Sequence, residues 1–249
     1  MSDNLAADLI GTVVDAARYS PRSRQASLGP SELGHPCARR LAYKVSGASV
    51  RWRDADPWAS IIGTATHAWL AAAFQAANLV MEQPRWLVEQ RVYPTPEVPG
   101  NCDLYDLFTD SVIDHKVVGN TTLTSAKAHG PTAQYRVQGH TYGLGWERVG
   151  RAPREIVIAY WPRNGILSSL FLHREPYDRT IALGALDRLA SISAAAATLD
   201  LSSYPDRMNL IPATPGDECR YCPYRSCTAG DGGCPDAPKK DIPTSLAGI

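Results

Sequence analysis

The apolar positions of this chain follow two periods. Residues 57–78, PWASIIGTATHAWLAAAFQAAN, open on a proline and are rich in Ala, Leu and Ile, which predicts a helix. Residues 3–19 place Leu9, Val13 and Ala16 or Ala17 on one side and predict an amphipathic helix. Pro36 fits the first position of a shorter helix to about residue 45. Further helices are expected over 131–149 and over 177–200, the latter with Ile181, Leu186, Leu189 and Ile192 as its apolar stripe. Shorter apolar runs predict strands at 86–93, 102–108, 112–118 and 155–160. Asn164-Gly165 is a type I′ turn signal, so 166–172 should return as a hairpin. Residues 20–28 read as a polar loop, Pro94, Pro96 and Pro99 as breaks, and 119–130 as a polar loop.

Composition narrows the class. A chain of 249 residues with 44% hydrophobic content suits one domain, or a domain with a small appendage. No apolar run stands out as long enough to span a membrane. The start, MSDNLAADLI, has no basic segment of a secretory signal, so the cytoplasm is the expected compartment. A net charge of zero argues against a non-specific nucleic-acid coat and leaves room for a local basic strip. Six cysteines in a cytoplasmic chain point to metal or cluster binding rather than disulfides.

The chemistry concentrates in GNCDLYDLFTDSVIDHKVV, residues 100–118. Asp114, His115 and Lys116 interrupt an apolar strand. Asp114 and Lys116 share a face because side chains alternate, and Asp103 lies on the neighbouring run. Two carboxylates and an ammonium inside a sheet cost several kcal/mol unless paired or bound to a cation. A surface strand with an ordinary salt bridge is the simpler alternative. A hard cation on the carboxylates could activate water against a phosphodiester, with the lysine steadying charge.

This stretch resembles the PD-(D/E)XK nuclease superfamily, with Asp103 as the first acid and Asp114-His115-Lys116 as D-x-K. Two flanking motifs extend the resemblance to its RecB-like branch. Gly63 to His67 matches the G-x-x-x-H helix, and Gln138 to Tyr142 matches Q-x-x-x-Y. The resemblance implies an α/β fold, a central mixed β-sheet flanked by helices as in restriction endonucleases. It implies Mg2+ or Mn2+ held by His67, Asp103, Asp114 and the carbonyl of His115, with Lys116 assisting water. Gln138 and Tyr142 would position the phosphate and the lysine. Arg39 and Arg40 are candidate strand contacts, or ordinary solvated helix residues.

From Pro212 the chain turns to Pro, Gly and Cys. Cys219-x-x-Cys222 is a metal signal that by chemistry alone suits structural Zn2+ or an iron–sulfur cluster. The resemblance extends to a branch, including CRISPR-associated and phage-type exonucleases, that carries a [4Fe-4S] cluster on one upstream and three downstream cysteines. It implies Cys37, Cys219, Cys222 and Cys234 as ligands, with Cys227 the alternative fourth. Cys102 reads as a core thiol. The whole chain is expected as one nuclease domain, core about 52–200, stapled by the Cys37 region and 202–249.

The implied activity is metal-dependent DNA exonuclease action, at single-stranded ends, in recombination, repair or replication. Protein partners of recombination or CRISPR type are unassigned. The alternatives are a non-catalytic DNA-binding or assembly module and a structure-specific endonuclease. One geometric condition follows. A two-residue turn at Thr109-Asp110 puts Asp103 opposite Lys116, on the face of Asp114. A three-residue turn puts Asp103 opposite Val117, facing away, unless a bulge between Gly100 and Leu107 intervenes.

Overall fold

The computed structural model describes residues 5–19, 28–50, 56–225 and 233–234. The chain divides into two compact units, Met1–His35 with Asp56–Ser191, and Pro36–Ala55 with Ile192–Ile249. In order come α1 (Leu5–Arg18), α2 (Pro30–Leu33), α3 (Ala38–Val45), α4 (Trp58–Leu79), β1 (Trp86–Thr95), β2 (Val98–Asp106) and β3 (Ser111–Val118). They are followed by α5 (Asn120–His129), α6 (Ala133–Arg148), β4 (Glu155–Pro162), β5 (Phe171–Pro176) and α7 (Arg179–Thr198).

The first unit is α/β. Its five-stranded sheet runs β1-β2-β3-β4-β5, with β3 and β4 parallel and every other pair antiparallel. The parallel pair requires a crossover, supplied by α5 and α6. Thr132 caps α6, its hydroxyl accepting the Tyr135 N–H at 3.3 Å. Helix α6 lies close on the sheet because it presents glycine there. A Cβ on Gly145 would stand 2.8 Å from Cβ of Val92, so only hydrogen fits. One core cluster joins Val92, Cys102, Tyr105, Val112, Tyr142, Trp146 and Ile156. A second joins Val118, Leu123, Ala126, Ile158 and Tyr160. Cys102 is fully buried, as a core thiol should be.

The β2–β3 connection differs from both expected turns. Asp106 pairs with Ser111, leaving Leu107 to Asp110 as a four-residue turn. The Asp106 carboxylate builds that turn. It accepts the Phe108 N–H at 3.0 Å, the Thr109 hydroxyl at 2.8 Å, and two bonds from the Arg85 guanidinium. Asp110 takes the left-handed φ of 55° that closes it, a conformation Asp tolerates. Pairing stops at Leu104↔Ile113, and the same register carried one step further sets Asp103 against Asp114.

Strand alternation also breaks at this level. Cys102 and Tyr105 sit in one cluster although three apart, and Leu87 packs on the cluster that holds Val92, five residues on. An odd separation puts strand residues on opposite faces unless the backbone turns over between them. The reversals bracket Asp103 on β2 and Glu89 on β1. Glu89 has φ 51° and is skipped in a ladder that pairs Val88 with Leu104 and Gln90 with Cys102. Both strands turn over together, so no register shift appears between Gly100 and Leu107; the shift falls between Val92 and Thr95.

Three other expectations need correction. Residues 120–129 are helical, with Leu123 and Ala126 buried under Ile158 and Tyr160. The return after Gly165 forms a short 3-10 turn at Leu167–Ser169 before β5 begins at Phe171. Helix α7, 20 residues with mean hydropathy 1.2, does reach the length and composition of a membrane span. It carries Asp187 and Arg188 at mid-length, and Arg188 donates to the His35 carbonyl at 2.9 Å.

In the second unit, Cys37 is the N-cap of α3, and the Arg39 N–H of that helix donates to the Pro212 carbonyl at 3.1 Å. Tyr43 stacks on Tyr224 with ring centroids 5.0 Å apart.

Candidate active site

The site forms where β2 and β3 part. Past Leu104↔Ile113 the strands exchange no ladder bonds, and the Asp103 carboxylate fills the fork. Its Oδ2 accepts the His115 backbone N–H at 2.7 Å, and its Oδ1 lies 3.4 Å from Nδ1 of His67 on α4. Burial pushes the Asp103 carboxyl up, but the His67 bond and the positive charges around it hold it below the ordinary carboxylate value. The same bond raises His67 above the usual imidazole value.

Asp114 is only 1% exposed, and its Oδ1 has no hydrogen-bond partner among the described residues. Lys116 Nζ stands 2.5 Å from its Oδ2, so that oxygen is ion-paired. Burial pushes the Asp114 carboxyl up to about 6, against the pull of Lys116. A buried carboxylate paired on one oxygen leaves the other for a cation.

Lys116 is aimed by α6. Its Nζ donates to Gln138 Oε1 at 2.9 Å and sits 4.7 Å above the Tyr135 ring. Gln138 Nε2 in turn donates to Tyr142 Oη at 3.3 Å, which turns the amide oxygen toward the lysine. Burial keeps the Tyr142 phenol well above its usual value, so it stays protonated. Gln138 and Tyr142, four apart, share one helix face and are both buried.

His115 points to the other side of β3, against α4. Its ring stacks on Phe74 at 5.8 Å and its Nδ1 accepts from Trp161 Nε1 at 3.2 Å. Burial lowers it to about 4, so the side chain is neutral. The His115 ring therefore works in packing.

The six residues from four elements, His67, Asp103, Asp114, Lys116, Gln138 and Tyr142, thus converge. Sequence reading missed Glu89. Among the described residues, the group of three or more ligand side chains whose ligand atoms all lie within 4.8 Å of one another is His67, Glu89 and Asp103. In WLVEQRVY, Glu89 reads as an ordinary polar position in an alternating strand; nothing local marks it.

The cysteine and arginine assignments fall in the second unit. Cys37, Cys219, Cys222 and Cys234 all lie there, and none of them is in a disulfide. Burial raises Cys222, and the neighbouring Cys234 and Cys37 add to the rise. Arg39 does not face solvent as a strand contact would. It is buried, and its guanidinium donates to the carbonyls of Ile211 at 2.8 Å and Asn209 at 3.2 Å and to Cys234 Sγ at 3.7 Å. Cys227 lies outside the described residues.

No protein-family model matches the sequence, and no curated protein matches it. Among solved structures, the fold is similar to that of an alkaline exonuclease from Laribacter hongkongensis. The two share 12% identity with a TM-score of 0.50, over 76% of this chain and 96% of that one. The same exonuclease in complex with dAMP gives 14% identity and a TM-score of 0.47, over 76% and 95%. A phage-related exonuclease from Haemophilus somnus 129PT gives 12% and 0.47, over 70% and 94%. The likeness to the Laribacter hongkongensis exonuclease at a TM-score of 0.50 establishes the fold alone.

Proposed function

We propose that the chain is a metal-dependent deoxyribonuclease of PD-(D/E)XK type that hydrolyses DNA from its ends. One observation carries the reading: the Asp114 carboxylate is buried with one oxygen paired to Lys116 and the other unbonded, and that lysine is aimed by Gln138. A structural ion pair has no need of a second helix to aim its lysine. A fold that an alkaline exonuclease also uses supports the reading.

The donor set fits a divalent cation, since carboxylate oxygens with one imidazole suit Mg2+ or Mn2+. Asp103, Asp114 and His67, with the His115 carbonyl, would hold it. When bound, such an ion polarises a phosphodiester and acidifies water. The protein groups do the rest. Lys116 presents one ammonium proton to the attacking or phosphoryl oxygen, held in place by Asp114 and Gln138. Tyr142 fixes Gln138. The His115 N–H holds the Asp103 carboxylate in the fork, so its orientation costs nothing at the moment of reaction. Single-stranded DNA ends are the assigned substrate, and Arg40 remains the strand contact of the arginine pair.

The second unit is assigned a structural [4Fe-4S] cluster on Cys37, Cys219, Cys222 and Cys234. Four cysteines outside disulfides in one unit, with Arg39 donating to the Cys234 sulfur, support it. The cluster would staple this unit rather than take part in hydrolysis.

Two measurements test these assignments. Linear and circular single-stranded DNA are digested in parallel; loss of the linear form alone is expected, and loss of the circle identifies an endonuclease. Anaerobically purified protein should carry iron and a broad absorbance near ~400 nm. Colourless protein with stoichiometric zinc refutes the cluster.

A further inference from the structure

We propose that Arg91 and Tyr93 on β1 form the subsite for the DNA nucleotide next to the scissile phosphate, and that they take it as single strand. The inference deepens the nuclease reading and rests on it for where the strand is cut.

The two side chains stand on the His67 face of the sheet. Val92 between them packs in the cluster with Tyr142, so Arg91 and Tyr93 point the other way. On β2 the same cluster holds Cys102, and a Cβ on Gly100 would stand 2.9 Å from the Tyr142 ring. Asn101 between them therefore shares the face of Arg91, its partner across the ladder, and its amide oxygen accepts from the guanidinium at 3.1 Å. Asn101 lies two residues from Asp103, whose carboxylate meets His67 on α4 at 3.4 Å. Two strand residues rise about 7 Å, close to the length of one extended nucleotide. A phosphate held at Asp103 thus sets its neighbour beside Arg91 and the base beyond it against Tyr93.

Helix α4 leaves room along this line. Phe74 packs on Trp86, and seven residues earlier His67 stands at Asp103, so the turn before His67 continues toward Arg91. That turn presents Gly63 on the face of His67, and nothing lies within 4 Å of where its Cβ would stand.

The charge and the ring are both available. Arg85 and Arg174, the other arginines at the sheet, meet the carboxylates of Asp106 and Glu155. Among the described residues, the partners of Arg91 are the neutral Asn101 amide and the Tyr93 ring, 5.9 Å from the guanidinium. Glu89, two residues earlier, brings its carboxylate to His67 and Asp103 instead. Tyr93 is 52% exposed. An uncompensated guanidinium beside an open aromatic face suits a single strand, which offers a phosphate to one and an unstacked base to the other. A duplex keeps its bases stacked and leaves the ring unused.

The test measures binding of a fluorescent single-stranded oligonucleotide by anisotropy, in Ca2+ and over a range of salt, for wild type, Arg91→Gln, Tyr93→Leu and Tyr93→Phe. Arg91→Gln should weaken binding about tenfold and make the slope of log affinity against log salt shallower by about 0.7, the share of one single-strand phosphate. Tyr93→Leu should weaken binding about tenfold with the slope unchanged, and Tyr93→Phe should bind as wild type does. Uncharged methylphosphonates placed one linkage at a time should reveal one position at which Arg91→Gln costs nothing further. Both side chains are exposed, so the variants should melt with wild type. Wild-type affinity in Arg91→Gln or in Tyr93→Leu overturns the proposal, as does a lower melting temperature with DNA affinity intact, the mark of a residue that only ties the hairpin. Cleavage by wild type in Mg2+ or Mn2+ is scored alongside. The binding losses without cleavage uphold the strand contacts and remove the nuclease reading; cleavage with both variants binding normally keeps that reading and overturns the subsite.

Discussion

The Asp103 carboxylate accepts the backbone N–H of His115 at 2.7 Å, taking a place that a strand-to-strand bond would otherwise fill. One side chain therefore serves both the sheet and the site. Two substitutions separate the roles. In Asp103→Asn the amide oxygen still accepts from His115, so stability should stay near wild type while divalent-cation affinity falls. In Asp103→Ala the buried N–H loses its acceptor, at a cost of about 1–3 kcal/mol. Urea unfolding without metal should rank wild type and Asp103→Asn together, with Asp103→Ala clearly below.

Gln138 acts through Lys116. With Gln138→Leu, the lysine keeps its contact with Asp114 but loses the acceptor that aims it. The expected loss is about 10- to 100-fold in kcat, as for other residues that orient a reacting group, with KM little changed. Steady-state kinetics on a labelled oligonucleotide checks this; an equal loss carried by KM would move Gln138 to substrate binding.

The close seating of α6 yields a substitution whose sign opposes simple propensity. Gly→Ala inside a helix ordinarily stabilises by about 1 kcal/mol. At Gly145 the new methyl would meet Val92, a stiff β-branched residue buried in β1. Overpacking of that kind costs typically about 1–3 kcal/mol. Gly145→Ala should therefore lower the urea midpoint.

Several parts of this arrangement were legible before the fold. Asp103, Asp114 and Lys116 stand out as charges within apolar strands, whereas His67, Gln138 and Tyr142 were picked out by motifs that resemble those of RecB-like nucleases. Glu89 could not be read, since its position follows from a backbone reversal matched across two strands. Helix α5 was hidden because only Leu123 and Ala126 mark its buried face, among threonines that suit a loop equally well. The β2–β3 turn was misjudged because Leu107 and Phe108 were counted with the strand, whereas the Asp106 carboxylate organises them into the turn.

Buried His140 gives the fold a pH dependence. Its Nδ1 accepts the Asp178 N–H at 3.1 Å, so the proton of the neutral ring sits on Nε2, 3.3 Å from Glu175. Burial lowers its value below the ordinary 6.5, with Glu175 opposing. A depressed folded value means the unfolded chain binds the proton more readily. The contribution is thus complete above 6.5 and is lost as pH falls below it. Urea midpoints of wild type and His140→Asn, compared at pH 7.5 and about 5.5, should show the steeper decline in wild type. Parallel declines would contradict the assignment.

The most direct test of the account is hydrolysis of an end-labelled single-stranded oligonucleotide by wild type and Lys116→Ala, with Mg2+ or Mn2+ and with chelator. Wild type should release labelled product only with the metal. Lys116→Ala should bind the oligonucleotide with near wild-type affinity, because phosphate contacts spread over the surface supply most of it, and should release none. Turnover by Lys116→Ala, or by wild type in chelator, would contradict the active site described here.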